Sequence, residues 1–123
     1  MGLFSSHEID STQVTEQYGT ILLPGEQVQA AFRSIRDTVF LTDLRFVLVD
    51  VQGITGSKTS IQSVPYRSIS RFAVETAGTL DLDSDLSIWV PGSSSPITVK
   101  ISRDADPQAI QRLLAERVLA AKR

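Results

Sequence analysis

The run TDLRFVLVDVQGITGSKTSIQSVPYRSISRFAVETAG, residues 42–78, decides the fold class. Its segment 45–51 is rich in β-branched residues and apolar on both faces, which is typical of a strand that is covered on both sides. A loop with two glycines, residues 52–58, follows, and Pro65 ends the next segment of alternating polarity. The run therefore predicts short strands joined by tight turns.

Hydrophobic periodicity extends this pattern to both sides of the run. We predict seven strands, over residues 26–33, 38–42, 45–51, 59–64, 69–76, 80–90 and 97–102. Helical spacing of apolar residues predicts a short helix within residues 14–22, which Pro24 ends. It also predicts a closing helix over residues 107–121, with Asp106 as its N-cap and Pro107 in its first turn.

The chain of 123 residues has the length of one domain, and no long linker interrupts it. We therefore expect a single domain with an N-terminal helical segment (1–24), seven strands (26–102) and a C-terminal capping helix (106–121). Consecutive short strands favour a mainly β (α+β) fold, as an antiparallel barrel or two crossed sheets. The capping helix should close one end, with Leu113 and Leu114 inside and Arg112 and Arg117 outside.

The residue types of the chain exclude most kinds of catalytic site. There is no cysteine, which rules out a thiolate nucleophile, a disulfide and a thiolate metal site. The one histidine, His7, would place any imidazole-based triad or metal site near the N-terminus. No nucleophile–base pair is apparent, so we expect a protein without catalytic residues, metal or cofactor.

Two motifs look like ligand-binding loops but lack the residues that such loops require. The D-x-D-x-D pattern of residues 81–85 begins like a calcium loop, yet Leu86 and Gly92 stand where that loop needs glycine and a bidentate glutamate. The glycine-containing loop at residues 52–58 lacks the Gly-Lys step and the following helix of a phosphate-binding loop. We interpret the first motif as the outer face of a strand and the second as a hairpin loop.

The sequence resembles the bacterial pleckstrin-homology (PH) domains. The run at residues 42–78 carries the resemblance, and LLPGE (22–26), LDLDSDLSIWV (80–90) and IQRLLAERVL (110–119) extend it. The resemblance implies a seven-stranded PH-like barrel or pair of crossed sheets, capped by a C-terminal helix. It further implies a stand-alone cytoplasmic protein of a bacterium that forms a ring-shaped homo-oligomer and has no recognised catalytic residues.

Charge alternates in blocks along the chain, which bears on self-association. Residues 1–32 and 75–85 each carry four acids and no Lys or Arg, whereas residues 33–74 and 86–123 each carry six cations against three acids. Such blocks can pair within one molecule or between copies. The candidate oligomer interface consists of Asp81, Asp83, Asp85 and Trp89. The tryptophan is expected either exposed at that interface or covered by the N-terminal helix.

Two functions remain open at this point. The leading one is a non-enzymatic cytoplasmic scaffold that assembles into a homo-oligomeric ring and binds an unidentified protein. The alternative is an adaptor that binds an anionic lipid headgroup or a phosphate ligand through Arg33, Arg36, Arg45, Lys58, Arg67 and Arg71. The first hairpin turn is short and carries Arg36 beside Asp37, and the net charge is −2. Membrane, phosphoinositide and nucleic-acid binding are therefore not expected.

Overall fold

The computed structural model describes residues 7–8, 11–34, 37–53, 56–76, 83–101 and 105–122. Its elements in chain order are β1 (His7–Glu8), α1 (Ser11–Tyr18), β2 (Val28–Arg33), β3 (Asp37–Thr42), β4 (Arg45–Gln52), β5 (Lys58–Pro65), β6 (Arg71–Glu75), β7 (Ser84–Trp89), β8 (Ile97–Ile101) and α2 (Pro107–Ala121). Short 3-10 helices follow α1 at Gly19–Ile21 and β5 at Tyr66–Ser68. No helix within these ranges is long and apolar enough to cross a membrane.

The strands form two antiparallel sheets, as the sequence predicts. Sheet A has the strand order β1-β2-β3-β4-β5, and sheet B has the order β6-β7-β8. Within each sheet every strand pairs with the next one along the chain, so both sheets are meanders. The two residues of β1 add a short edge beside β2, a pairing that the sequence pattern does not predict. The mainly β fold class with seven principal strands, β2 to β8, is confirmed.

Three strands begin at least two residues later than predicted. The first strand begins at Val28 rather than at residue 26, because residues 23–26 form a turn that a 3.0 Å bond from the Glu26 N–H to the Leu23 carbonyl closes. The strand predicted at residues 69–76 shortens to β6, since a 3-10 helix precedes it. The strand predicted at residues 80–90 corresponds to β7, which begins at Ser84, and part of its predicted start lies outside the described residues.

The main core lies between the two sheets and α2. Fully buried side chains from the sheets, from α2 and from the connection between the sheets meet there: Phe32, Phe46, Ile69, Leu86, Ile88, Ile101 and Leu114. Strand β4 contributes Phe46 and Leu48 to this core and turns Val47 and Val49 toward the other face of sheet A. That other face is covered by α1, which explains why β4 is apolar on both sides.

Helix α1 forms a second, smaller core on the outer face of sheet A. Its Val14 is fully buried in a cluster with Ala31, Phe40, Val47 and Val49. The ring of Tyr18 stacks on Phe40, with 5.6 Å between the ring centroids. The α-helical part ends at Tyr18, and the 3-10 helix continues the chain to Ile21. The short N-terminal helix is therefore confirmed, with an earlier end than the periodicity predicts.

Helix α2 has the bounds that the sequence predicts. The Asp106 carboxylate accepts a 2.9 Å bond from the Gln108 N–H, which confirms the N-cap. Ile110, Leu114 and Val118 are buried in the main core. Leu113 was expected inside the core, but its side chain is only half-buried at the margin of the core.

The two arginines of α2 differ from each other. Arg112 is 83% exposed, as expected, and its Nε lies 3.4 Å from the Glu116 carboxylate. Arg117 was expected to point to solvent or to a neighbouring subunit. It is half-buried, and its Nε donates a 2.9 Å hydrogen bond to Gln29 Oε1 of β2 in an exposed contact.

Truncation of Leu114 tests whether α2 completes the core. We expect Leu114→Ala to lower the free energy of unfolding by about 2–5 kcal/mol, because the variant loses apolar burial and leaves a cavity. That loss is a large share of the roughly 5–15 kcal/mol typical of a domain. Thermal melts compare it with Arg112→Ala, which removes an exposed side chain and should melt like the wild type. Equal melting of both variants would contradict the role given to α2.

Candidate functional site

Two turns of the chain meet at a buried ion pair. Glu26 ends the first turn, and Arg45 follows the second turn between β3 and β4. The Glu26 side chain is 0% exposed, and both of its oxygens accept from Arg45: Oε2 from Nε and Oε1 from Nη2, each at 2.9 Å. This two-point contact is the strongest geometry available to an Arg–carboxylate pair.

The remaining hydrogen-bonding groups of the pair are also satisfied. Glu26 accepts from the Leu23 N–H at 3.0 Å and from Thr42 Oγ1 at 2.7 Å. Arg45 donates from Nη1 to Ser63 Oγ at 2.8 Å and from Nη2 to the Ile21 carbonyl at 2.6 Å. The Arg45 hydrogen bond is the main reason that the pKa of Glu26 falls to about 2, against the opposing effect of burial.

Arg45 therefore holds the fold together and has little left to offer a ligand, which removes it from the predicted anion site. The other predicted cations that the structure describes lie on separate elements. Arg33, at the far end of β2, donates a 2.6 Å bond to Gln17 of α1. Arg71 belongs to sheet B, Lys58 begins β5, and Arg67 lies beside the end of α2. Arg36 lies outside the described residues.

Two of the predicted interface residues, Asp85 and Trp89, share the outer face of sheet B. Along β7, Asp85, Ser87 and Trp89 alternate with the buried Leu86 and Ile88. Cross-strand neighbours complete this face, which we call the sheet-B outer face: Arg71, Ala73 and Glu75 on β6, and Thr98 and Lys100 on β8. Asp83 directly precedes β7, and Asp81 lies outside the described residues.

Polar contacts tie the sheet-B outer face together. Asp85 and Lys100 form an ion pair of 2.8 Å, and the hydroxyls of Ser87 and Thr98 are 2.9 Å apart. The Asp85 carboxylate is also the main cause of the raised pKa of Lys100. The face is thus a pre-ordered polar surface, with acids at one end and an aromatic ring at the other.

Trp89 occupies the aromatic end of the sheet-B outer face. It is half-buried, and the Arg71 guanidinium lies over its ring, 3.9 Å from the centroid. The idea that the N-terminal helix covers this ring was wrong, because α1 packs on sheet A. The cross-strand register that pairs Arg71 with Trp89 was missed, and no local sequence signal sets it.

A pair of aspartates lies where β3 begins and β4 nears its end. Asp37 and Asp50 are direct cross-strand partners, and Gln52 Nε2 donates a 3.0 Å bond to Asp50 Oδ2. Burial, and then the hydrogen bond and charge of Asp50, raise the pKa of Asp37 to about 6. The two carboxyl groups can share a proton, but no group of three metal-ligating side chains occurs in the described part of the chain.

Strand β5 is the outer edge of sheet A opposite β1. Six of its eight residues are exposed, and the apolar side chain of Ile61 is 48% exposed. Ile61 pairs across the sheet with Val49, so it lies on the same face as α1. This edge was not singled out by the sequence pattern, because β5 alternates in polarity like any half-buried strand.

Two meander sheets closed by a C-terminal helix define a PH-like domain. A sequence profile described as Bacterial PH domain matches residues 1–118. The chain belongs to the bacterial PH domain family. This result confirms the resemblance inferred from the sequence motifs.

Relatives of similar length support this assignment. The chain is 48% identical over 114 residues to "Uncharacterized protein YjqA" of Bacillus subtilis (strain 168), covering 92% of this chain and 91% of that protein. Two crystal structures, each 37% identical, have the same fold. A DUF1696 family protein with a pleckstrin-homology domain from Shewanella loihica PV-4 has a TM-score of 0.80, over 93% of this chain and 97% of that one. The PH domain from Shewanella amazonensis SB2B has a TM-score of 0.71, over 91% and 90%.

The first prediction from this geometry concerns the buried ion pair. Glu26→Gln should lower the free energy of unfolding at neutral pH by about 3–5 kcal/mol, because it leaves Arg45 without its counter-charge. The pKa of Glu26 is lower in the folded state than its ordinary 4.5, so its contribution is present above that value and is lost as the pH falls toward 2. Unfolding curves of Glu26→Gln should therefore show a shallower loss of stability on acidification than the wild type. Glu16→Gln on the exposed face of α1 is the matched control, and an equal effect of both would contradict the assignment.

The second prediction concerns anionic lipid. Vesicles that contain a phosphoinositide should retain no more protein than vesicles of equal surface charge made with phosphatidylserine. The reason is that Arg45 is engaged by Glu26 and the other described candidates lie on separate elements. Flotation of vesicles with bound protein measures the retention. Selective retention by the phosphoinositide at submicromolar protein would contradict this prediction.

Proposed function

We propose that this protein is a non-enzymatic cytoplasmic scaffold whose PH-like domains assemble into a cyclic homo-oligomer. The observation that supports this proposal is the open edge of β5. An edge strand presents unpaired backbone N–H and C=O groups, and proteins cover such edges or pair them with another chain. In the described residues no strand lies beside the outer edge of β5.

The composition of β5 suits a contact with another copy. The strand is eight residues long, and it carries one cation, Lys58, and no acid. An edge that must stay monomeric usually carries inward-pointing charges, a bulge or a proline within the strand. Here the proline, Pro65, lies at the last position, and Ile61 adds an exposed apolar side chain in the middle.

The surface proposed to receive β5 is the sheet-B outer face of the next copy. Its acidic end, with Asp83 and Asp85, complements Lys58, and Trp89 offers apolar area to Ile61. The two surfaces differ, so the contact is heterologous and repeats from copy to copy until the rotation closes a ring. A ring of this kind presents several identical binding surfaces, which suits a scaffold.

Sedimentation of the purified chain at micromolar concentration and moderate salt tests the assembly. We expect one oligomeric species whose mass is several times the 13.5 kDa of a single chain. Ile61→Lys should yield a monomer with an unchanged circular dichroism spectrum, because a cation at this position loses the apolar contact with Trp89 and lies beside the Arg71 guanidinium of the next copy. The control is Leu119→Lys, which replaces a 59% exposed leucine of α2 and should leave the mass unchanged.

Two results would contradict this proposal. One is a wild-type chain that sediments as a monomer under these conditions. The other is an oligomer that Ile61→Lys leaves intact, which would mean that the β5 edge is not the contact.

A further inference from the structure

The main core is incompletely covered along the seam between β6 and α2. Phe72 and Val74 of β6 point into the core but are only half-buried. Their cross-strand partners on β7, Ile88 and Leu86, are 0% exposed. The neighbouring Leu113 of α2 is half-buried too. Apolar side chains of both elements therefore remain partly accessible along one line.

A groove of about 380 Å³ follows this seam. Its strand side is formed by Val74 and Thr76, and its helix side includes Gln108, Gln111, Arg112 and Ala115. Strand β6 is the edge of sheet B, and in the described residues it pairs only with β7. The groove thus has an apolar strip, amide side chains and one open row of backbone groups.

Charge along the groove has one sign. Among the described residues that line the groove, Arg112 is the one charged side chain, and none of them is acidic. The Arg112 side chain is 83% exposed, and one of its N–H groups faces Glu116 at 3.4 Å. A guanidinium has five N–H donors, so Arg112 can still bind a carboxylate at two points.

From these three features we propose that the groove between β6 and α2 binds an extended acidic peptide of another protein. The peptide adds a strand to the open edge of β6 and places alternate side chains in the groove. An apolar side chain packs on Val74 and Ala115, and a Glu or Asp side chain binds Arg112. Strand addition supplies affinity through the backbone, and the pockets between strand and helix supply selectivity.

The peptide should bind in an extended conformation because β6 is an edge strand. Backbone groups of an edge strand are best satisfied by another strand, whereas a bound helix would leave them unpaired. The acidic character of the peptide follows from the positive charge that Arg112 gives to the groove. The groove includes Val74, which packs against the core, whereas the assembly proposed above uses the outer face of sheet B, so the two sites are distinct.

Fluorescence anisotropy with the full chain tests the proposal. The probe is a labelled short peptide of alternating valine and glutamate, compared with a peptide that has lysine in place of glutamate. We expect the acidic peptide to bind at least about tenfold more tightly than the basic one. Methylation of alternate backbone nitrogens in the acidic peptide should weaken its binding by about tenfold, because strand addition needs those N–H groups.

Variants of the protein locate the site. Arg112→Glu should weaken binding of the acidic peptide by about tenfold. Lys122→Glu makes the same change of charge on an exposed residue at the far end of α2 and should have no effect. Ala115→Trp should abolish binding, since the indole fills the groove, and its thermal melt should remain cooperative. The Ile61→Lys variant should bind the acidic peptide like the wild type, which separates this site from the β5 contact.

Several results would overturn the proposal. They are an absence of binding at millimolar peptide, equal binding of the acidic and basic peptides, and equal effects of Arg112→Glu and Lys122→Glu. Dissociation of an oligomer by Arg112→Glu would overturn it too, because the groove would then be a contact between copies of this chain.

Discussion

A fully buried carboxylate is the constraint on which much of this structure depends. Glu26 can stay ionised away from water only if its oxygens are satisfied, and Arg45 with Thr42 and the Leu23 N–H provides the partners. The pair therefore fixes the turn before β2 against the turn before β4. Through Ser63 the same arginine also holds β5. Removal of Arg45 would leave a buried carboxylate unpaired, and removal of Glu26 would leave the partly buried guanidinium without its counter-charge.

The hydrogen bonds of this centre reach beyond sheet A. Tyr66 donates from its hydroxyl to the Thr42 carbonyl at 2.6 Å, and burial raises the pKa of this phenol. Tyr66 begins the short connection that leads the chain from sheet A into sheet B. The segment that enters sheet B is thus anchored to the same turn that holds Glu26. One polar cluster sets the relative position of the two sheets at this corner.

The fold could be predicted from the sequence because its signals are local. Strand alternation, the Asp106 cap and the stripe of α2 each depend on neighbours within one element. The site could be predicted only in part, because its partners come from distant segments. From its residue type alone, Arg45 is a candidate to bind an anion. Its structural role becomes visible only in the folded chain, where a turn brings Glu26 beside it. The register that stacks Arg71 on Trp89, and the half-covered Leu113, likewise depend on how the sheets and α2 pack.

The stacked Arg71 and Trp89 have a spectroscopic consequence. Trp89 is the one tryptophan of the chain, and it is half-buried under a guanidinium on the sheet-B outer face. Fluorescence excited at a wavelength that indole absorbs and tyrosine does not therefore reports the environment of this one side chain. Emission wavelength and quenching by a soluble quencher both depend on whether Arg71 stays over the ring and on whether water reaches it. The wild-type chain thus contains its own optical reporter for this face, without a label or an added residue.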